Sequence, residues 1–235
     1  MCDTCGCPSP AAPETRKTVD VHESLLAENT RLAAENREHI EAMDAFAINL
    51  ISSPGSGKTT LLERTIERLG KELRIGVIEG DIETERDAQR IRAKGVPAVQ
   101  LTTGGACHLD ARLVHHGLHE LEHQNHHQGF DLIFIENVGN LVCPATFDLG
   151  EHERIVLLSV PEGSDKPAKY PKAFTSSQTF LITKTDLLPH FDFSLDEARR
   201  EALRLNPELT VFELSATTGA GFDAWLDHLR QRLDR

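Results

Sequence analysis

The chain has 235 residues, with 25 Lys and Arg against 37 Asp and Glu and a formal net charge of -12. That length accommodates one large α/β domain, and that charge argues against a nucleic-acid partner, whose phosphates demand a basic face. No apolar run approaches the ~20 residues that cross a bilayer, and no stretch reads as a signal peptide, so a cytoplasmic protein without a membrane partner is expected.

In chain order, residues 1–18 carry Pro, Ser, Ala and Thr without apolar periodicity and read as a flexible arm containing Cys2, Cys5 and Cys7. Residues 19–43 combine strong helix formers with Val21, Leu25, Leu32 and Ile40 at helical spacing. This predicts one amphipathic helix that either packs on the domain or meets a partner. From residue 44 to 235 the pattern is that of a single domain. An apolar run from Phe46 to Ile51 breaks at Ser52-Ser53-Pro54, and a Gly-rich turn leads into a helix beginning near Lys58. Further strands are expected near 74–78, 98–101, 132–135, 155–160, 180–183 and 210–214, and helices at 59–69, 83–94, 109–126, 195–205 and 222–233. Such alternation predicts an α/β fold with a mostly parallel sheet flanked by helices on both faces. The near-continuous apolar strands imply that both faces are covered.

In this fold ligands sit at the carboxyl ends of the strands. Pro54, Gly55, Ser56, Gly57, Lys58, Thr59 and Thr60 form a phosphate loop. Its glycines let backbone N–H groups point at phosphate oxygens, Lys58 reaches the β/γ-phosphates, and the Thr59 hydroxyl holds Mg²⁺. Ser52 stands where the outer glycine of this motif is usual. Asp81, beyond the second strand, is placed to meet Mg²⁺ or the attacking water; an Asp capping the next helix is the other reading. Glu136-Asn137-Val138-Gly139 is similar to the D-x-x-G element of GTPases. There the Gly139 N–H would sense a γ-phosphate and Glu136 would reach the metal through water. Thr183-Lys184-Thr185-Asp186 is similar to the guanine-reading N-K-x-D. The Asp186 carboxylate can accept from N1–H and the 2-amino group of guanine, while adenine offers no donor there. Lys184 would cover the base, and Ser215 and Ala216 follow the last strand where a backbone N–H meets guanine O6. The substrate pair read from these elements is GTP and GDP. No arginine finger can be assigned, so slow intrinsic turnover is expected.

The five cysteines are an odd number without an export signal, which favours metal or catalytic thiols over disulfides. Cys143 lies four residues beyond Gly139, at most about 14 Å along the chain. With Cys107 and His108 it makes a set suited to Zn²⁺ or Ni²⁺, ordinary buried cysteines being the alternative. Cys2, Cys5 and Cys7 pack three thiols into a short arm that suits square-planar Ni²⁺ or tetrahedral Zn²⁺. His115, His119 and His123 recur every fourth residue and share a helix face without an assigned role.

Together, CDTCGC, SSPGSGKTT, EGDIETERDA, TTGGACHLDA, ENVGNLVCPA and PEGSDKPAKYP resemble the HypB family, the nickel-insertion GTPases of nickel-iron hydrogenase maturation. The match runs along nearly the whole chain. The resemblance implies a P-loop NTPase fold of the SIMIBI class and a homodimer that depends on GTP and Mg²⁺. It implies a tight nickel site at Cys2, Cys5 and Cys7 and a weaker Ni²⁺ or Zn²⁺ site at Cys107, His108 and Cys143. It also implies a HypA-like zinc and nickel accessory protein and a hydrogenase large-subunit precursor as partners. A urease-accessory or other metal-insertion GTPase, and a nickel-storage protein using nucleotide structurally, are the alternatives.

Overall fold

The structure, a computed structural model, describes residues 15–81 and 85–234, with side chains from residue 25 onward. The thiols Cys2, Cys5 and Cys7 therefore lie outside the described residues. In chain order the elements are α1 (Thr15–Ala42), β1 (Phe46–Ser52), α2 (Lys58–Leu69), β2 (Ile75–Asp81), α3 (Arg86–Arg92), β3 (Ala98–Thr102), α4 (Ala111–Gln124) and β4 (Leu132–Glu136). After these come β5 (Glu153–Ser159), α5 (Lys166–Lys169), α6 (Pro171–Thr175), β6 (Thr179–Thr183), α7 (Leu195–Leu205), β7 (Thr210–Glu213) and α8 (Phe222–Leu233).

Among the described residues the strands form one seven-stranded parallel sheet in the order β3-β2-β4-β1-β5-β6-β7. Alternate residues of each strand enter opposite layers. Ile48, Leu50, Leu132 and Phe134 meet Leu62 and Ile66 of α2, Ile91 of α3 and Trp225 of α8. Ala47, Ile133 and Ile135 meet Ile40 of α1 and Val114, Leu118 and Leu121 of α4. Further along that second face, Val156, Leu158 and Ile182 pack on Phe174 of α6 and Ala198 of α7. The strands β1, β2, β4, β5 and β6, buried on both faces, account for the apolar runs in the sequence, while the edge strand β7 is partly exposed. No helix among the described residues is long and apolar enough to cross a membrane.

Two features differ from the sequence-based expectation. The short helices α5 and α6 were not anticipated; each opens with a proline in its first turn, Pro167 and Pro171, where the missing N–H carries no penalty. The helix expected at residues 83–94 is described only from Arg86 to Arg92.

The buried face of α1 matches the apolar stripe anticipated only at Ile40 among the described side chains. Leu25 is exposed and Leu32 half-buried, while the buried positions are Asn29, Ala33, Asn36 and Ile40. The spacing is helical, but the docking is largely polar. Asn36 Nδ2 donates to the carbonyls of Ala111 (2.8 Å) and Leu149 (3.0 Å), and Asn29 Oδ1 receives the Ala111 N–H at 2.9 Å. Gly150, at φ +93, lets α1 approach this closely: a Cβ there would lie 2.6 Å from the Ala33 carbonyl oxygen.

Replacing Asn36 by Leu should leave those buried carbonyls short of a donor and lower stability by about 2–3 kcal/mol. Leu32→Ser should cost less than about 1 kcal/mol. Urea unfolding of both variants measures the difference.

Candidate functional site

β1 ends at Ser52 and the chain turns through Gly55 (φ +74) and Gly57 (φ +97), conformations that glycine adopts without strain. α2 opens on Lys58 with no side-chain cap, so the N–H groups of its first turn and the positive end of its dipole are available to an anion. Ser52, in the outer-glycine position, is fully buried. Its hydroxyl accepts from Lys58 Nζ at 2.9 Å and from the Ser56 hydroxyl, and donates to the Ser53 carbonyl at 2.7 Å. The departure from the usual motif thus closes the loop from within.

A cleft of about 460 Å³ opens between this loop and the carboxyl ends of β2 and β4, with Thr60 and Asp81 among its lining residues. Thr59 Oγ1 donates to Glu136 Oε1 at 3.0 Å, and Lys58 Nζ lies 4.0 Å from the same oxygen. Glu79 stands opposite Glu136 in the β2–β4 register. Both side chains are buried, and no hydrogen bond from the described residues reaches Glu79 Oε1 or Glu136 Oε2. Burial, and then the Glu136 charge, push the Glu79 carboxyl well above the ordinary glutamate range. Burial also raises Glu136, but the Lys58 charge and the Thr59 hydroxyl work against it. The buried pair therefore favours holding a proton, Glu79 more strongly than Glu136. Glu79, Asp87 and Arg90 line the cleft without having been anticipated; Arg90 spans Glu63 at 2.6 Å and Asp87 at 2.8 Å.

At the other end of the cleft, Lys184 holds φ +58 and its Nζ donates to the Gly55 carbonyl at 2.6 Å. Thr183, in place of the usual Asn, donates its hydroxyl to the Ser56 carbonyl at 2.7 Å, so the supporting contact to the phosphate loop is made by a different group. Asp186 Oδ1 receives the Ser215 hydroxyl at 2.5 Å, and the Ala216 carbonyl receives Arg64 Nε at 3.0 Å. The residues expected to read guanine are thus tied to one another and to the phosphate loop.

The three expected metal ligands also converge. Cys107 Sγ lies 3.1 Å from Cys143 Sγ and 3.9 Å from His108 Nδ1, and one donor atom from each lies within 4.8 Å of the others. Cys107 is exposed and Cys143 half-buried, so Cys107 is not an ordinary core cysteine. The Cys107 thiol, and then burial, raise the Cys143 pKa. Burial lowers that of His108, against the opposing charge of Asp110, while its ring stacks on Phe147 at 4.1 Å. At a metal–sulfur bond of about 2.3 Å, tetrahedral thiolates stand roughly 3.8 Å apart and right-angled ones roughly 3.3 Å. The observed pair is nearer the second spacing.

The loop after β4 joins the two centres. Ser52 and Asn140 pair as an isolated antiparallel bridge. A Cβ on Gly139 would lie 2.9 Å from the Pro54 backbone, so the two loops touch main chain to main chain. Asn140 Nδ2 donates to the Cys107 carbonyl at 3.4 Å, and its Oδ1 receives the Val142 N–H at 2.8 Å. Asn137, also unanticipated, accepts the Leu109 N–H at 3.1 Å and the Val138 N–H at 3.0 Å, tying the loop after β4 to the one that carries Cys107.

Residues 46–213 match the family described as CobW/HypB/UreG, nucleotide-binding domain. The hydrogenase maturation factor HypB of Azotobacter chroococcum mcd 1 is 52% identical over 219 residues, covering 92% of this chain and 70% of that protein. The chain belongs to the HypB family. The corresponding Escherichia coli (strain K12) HypB is 46% identical over 214 residues, 91% of this chain and 72% of that protein. The HypB-family match extends to solved structures. HypB from Helicobacter pylori in complex with nickel has a TM-score of 0.84 at 39% identity, covering 88% of this chain and 95% of that one. HypB from Archaeoglobus fulgidus has a TM-score of 0.81 at 41% identity, covering 88% and 100%. The signal recognition particle receptor FtsY from Elizabethkingia anophelis in complex with GDP, at a TM-score of 0.50 and 16% identity, shares the fold alone. This HypB-family chain accordingly has the SIMIBI-class P-loop NTPase fold.

Because Glu79 binds its proton more tightly folded than unfolded, the folded state holds more protons. Stability should therefore be greatest below the unfolded glutamate pKa and fall as pH rises toward the raised folded value. Glu79→Gln should flatten that slope and raise the urea midpoint at pH 8; an unchanged pH profile would place the proton elsewhere.

Proposed function

We propose that this protein is a GTP-hydrolysing nickel metallochaperone of hydrogenase maturation, in which nucleotide state is coupled to the Cys107, His108 and Cys143 site. The carrying observation is the loop from Glu136 to Cys143, which touches the phosphate loop at Gly139 and Asn140 and ends in a thiol paired with Cys107. GTP binds with its phosphates against the N–H groups of Gly55 to Thr60, its charge met by Lys58, and its guanine on Asp186, Lys184 and Ser215. Thr59, Asp81 and Glu136 would hold Mg²⁺, for which the unpartnered buried Glu136 Oε2 is suited; bound there it neutralises phosphate charge. The Gly139 N–H turns toward the γ-phosphate and carries Asn140 with it, shifting Cys143 relative to Cys107. Loss of the γ-phosphate reverses the movement and changes nickel affinity. Arg90 is engaged by Glu63 and Asp87, so intrinsic turnover is slow.

Nickel is the cargo. Cys2, Cys5 and Cys7 form its tight site on the arm that precedes α1, a helix that starts at Thr15 rather than at the expected residue 19, with residues 44–235 as the GTPase domain and α1 between them. Further elements of this reading are a GTP-dependent homodimer, a HypA-like accessory protein carrying zinc or nickel, and a hydrogenase large-subunit precursor as recipient. Support comes from family membership and from the Helicobacter pylori relative, solved in complex with nickel.

Lys58→Ala should lower GTP turnover at least about a hundredfold while the nickel equivalents held by the arm stay constant. Turnover that survives would remove the phosphate-loop assignment. Equilibrium nickel titration with GDP and with a non-hydrolysable GTP analogue should give two affinities for the native chain. Gly139→Ala, whose Cβ is driven against Pro54, should bring those affinities together.

A further inference from the structure

Away from the cleft, a second group of ligating side chains lies where α1 crosses α4. His39 projects from α1, and His119 and Glu122 lie three residues apart on one face of α4. His39 Nε2 is 3.2 Å from Glu122 Oε2. A ring nitrogen of His119 completes a trio whose donor atoms all lie within 4.8 Å of one another. The His39 and His119 rings have centroids 4.6 Å apart at an interplanar angle of 41°, neither stacked nor edge-on.

We propose that His39, His119 and Glu122 form a second, sulfur-free site for a divalent transition-metal ion, one that clips α1 to α4. Two imidazoles with one carboxylate suit Zn²⁺, Ni²⁺, Co²⁺ or Cu²⁺, whereas Mg²⁺ and Ca²⁺ require oxygen donors. At metal–ligand bonds of about 2.0–2.1 Å, two donors on one ion stand roughly 2.9–3.4 Å apart. His39 and Glu122 already hold that spacing across the helix seam. His119 is exposed and one of its ring nitrogens already lies within 4.8 Å of both other donors, so three protein ligands leave coordination positions open to water or cargo.

The surroundings fix the ligands from behind. The second Glu122 oxygen lies 3.3 Å from His127 Nδ1, which orients the carboxylate. His115, whose ring centroid is 4.7 Å from that of His119, is oriented by Asn36 at 3.0 Å. Because Asn36 Nδ2 donates to two carbonyls, its oxygen must accept from His115 Nδ1–H, which fixes the orientation of that ring. The site is separate from the cysteine centre. His108 shares a groove with Asn29 near the start of the described α1 side chains, and ten residues of helix between Asn29 and His39 span roughly 15 Å.

The test uses the full chain carrying Cys2→Ser, Cys5→Ser, Cys7→Ser, Cys107→Ser and Cys143→Ser, loaded with Co²⁺. This variant should keep one equivalent of cobalt with ligand-field absorption and no thiolate charge-transfer band, and cobalt should raise its thermal midpoint. Adding His119→Gln or His39→Gln should weaken cobalt binding at least about tenfold and abolish the thermal shift. His123→Gln, outside the trio, should change neither. His119 is exposed, so its loss leaves the fold intact. The proposal is overturned if the five-serine chain binds no cobalt, or if His123→Gln weakens binding as much as His119→Gln does. The latter result would mean diffuse capture by surface histidines.

Discussion

The contact on which this molecule depends is the main-chain approach of Gly139 to Pro54. There is no room for a Cβ between them, and the next residue, Asn140, pairs with Ser52 at the root of the phosphate loop. The short loop from Asn140 to Cys143 starts from that contact. Asn140 reaches the Cys107 carbonyl, and Cys143 lies across from Cys107. Each hydrogen bond in this relay is worth about 1 kcal/mol net. Site-to-site coupling in proteins is commonly about 1–3 kcal/mol, so a relay of a few such bonds has the right scale. A longer or bulkier linkage would absorb movement in side-chain rotamers. A glycine against a proline backbone has little slack.

The carboxyl pair behind the phosphate loop illustrates a related constraint. Glu79 and Glu136 occupy paired positions on adjacent strands, in a layer otherwise filled by Ile75, Val77, Leu132 and Phe134. Burying two like charges side by side is unfavourable, and the fold responds by keeping a proton on one of them. The result is a poised anionic face beneath Lys58 and Thr59. A bound cation stabilises that face, and an apolar substitution would remove it. Such local discord in an otherwise consistent core is where function is concentrated.

Much of the sheet was legible because the strands are apolar runs whose period and flanking turns admit few other readings. The turn through Gly55 and Gly57 and the segments at Glu136 and Lys184, which share one cleft, stood out because each breaks an apolar strand with glycine or charge. Glu79 was not, because its significance lies in register. Only the pairing of β2 with β4 sets it against Glu136, and no spacing within either strand carries that information. The docking face of α1 was misjudged for a different reason. Apolar spacing selected Leu25 and Leu32, whereas the helix is held through Asn29 and Asn36 by backbone groups of residues 111 and 149. A sequence does not display which backbone groups its fold will leave without partners. Thr183 and Ser52 were departures whose compensations, a hydroxyl on Ser56 and a hydroxyl under Lys58, became visible only in three dimensions.

The polar character of the α1 interface has an energetic consequence. Ile40 contributes about 2 kcal/mol by burial, and the asparagine bonds add about 1 kcal/mol each, against the entropy of ordering a long helix. The attachment therefore relies less on apolar burial than that of α2 or α8, whose leucines and Trp225 enter the core directly. One end of the described helix lies in the groove lined by His108 and the other carries His39. Under the proposal above, a coordinate bond at His39 would add to this attachment at that end. A helix fastened by a continuous apolar stripe would leave the backbone groups of Ala111 and Leu149 without the partners that Asn29 and Asn36 supply.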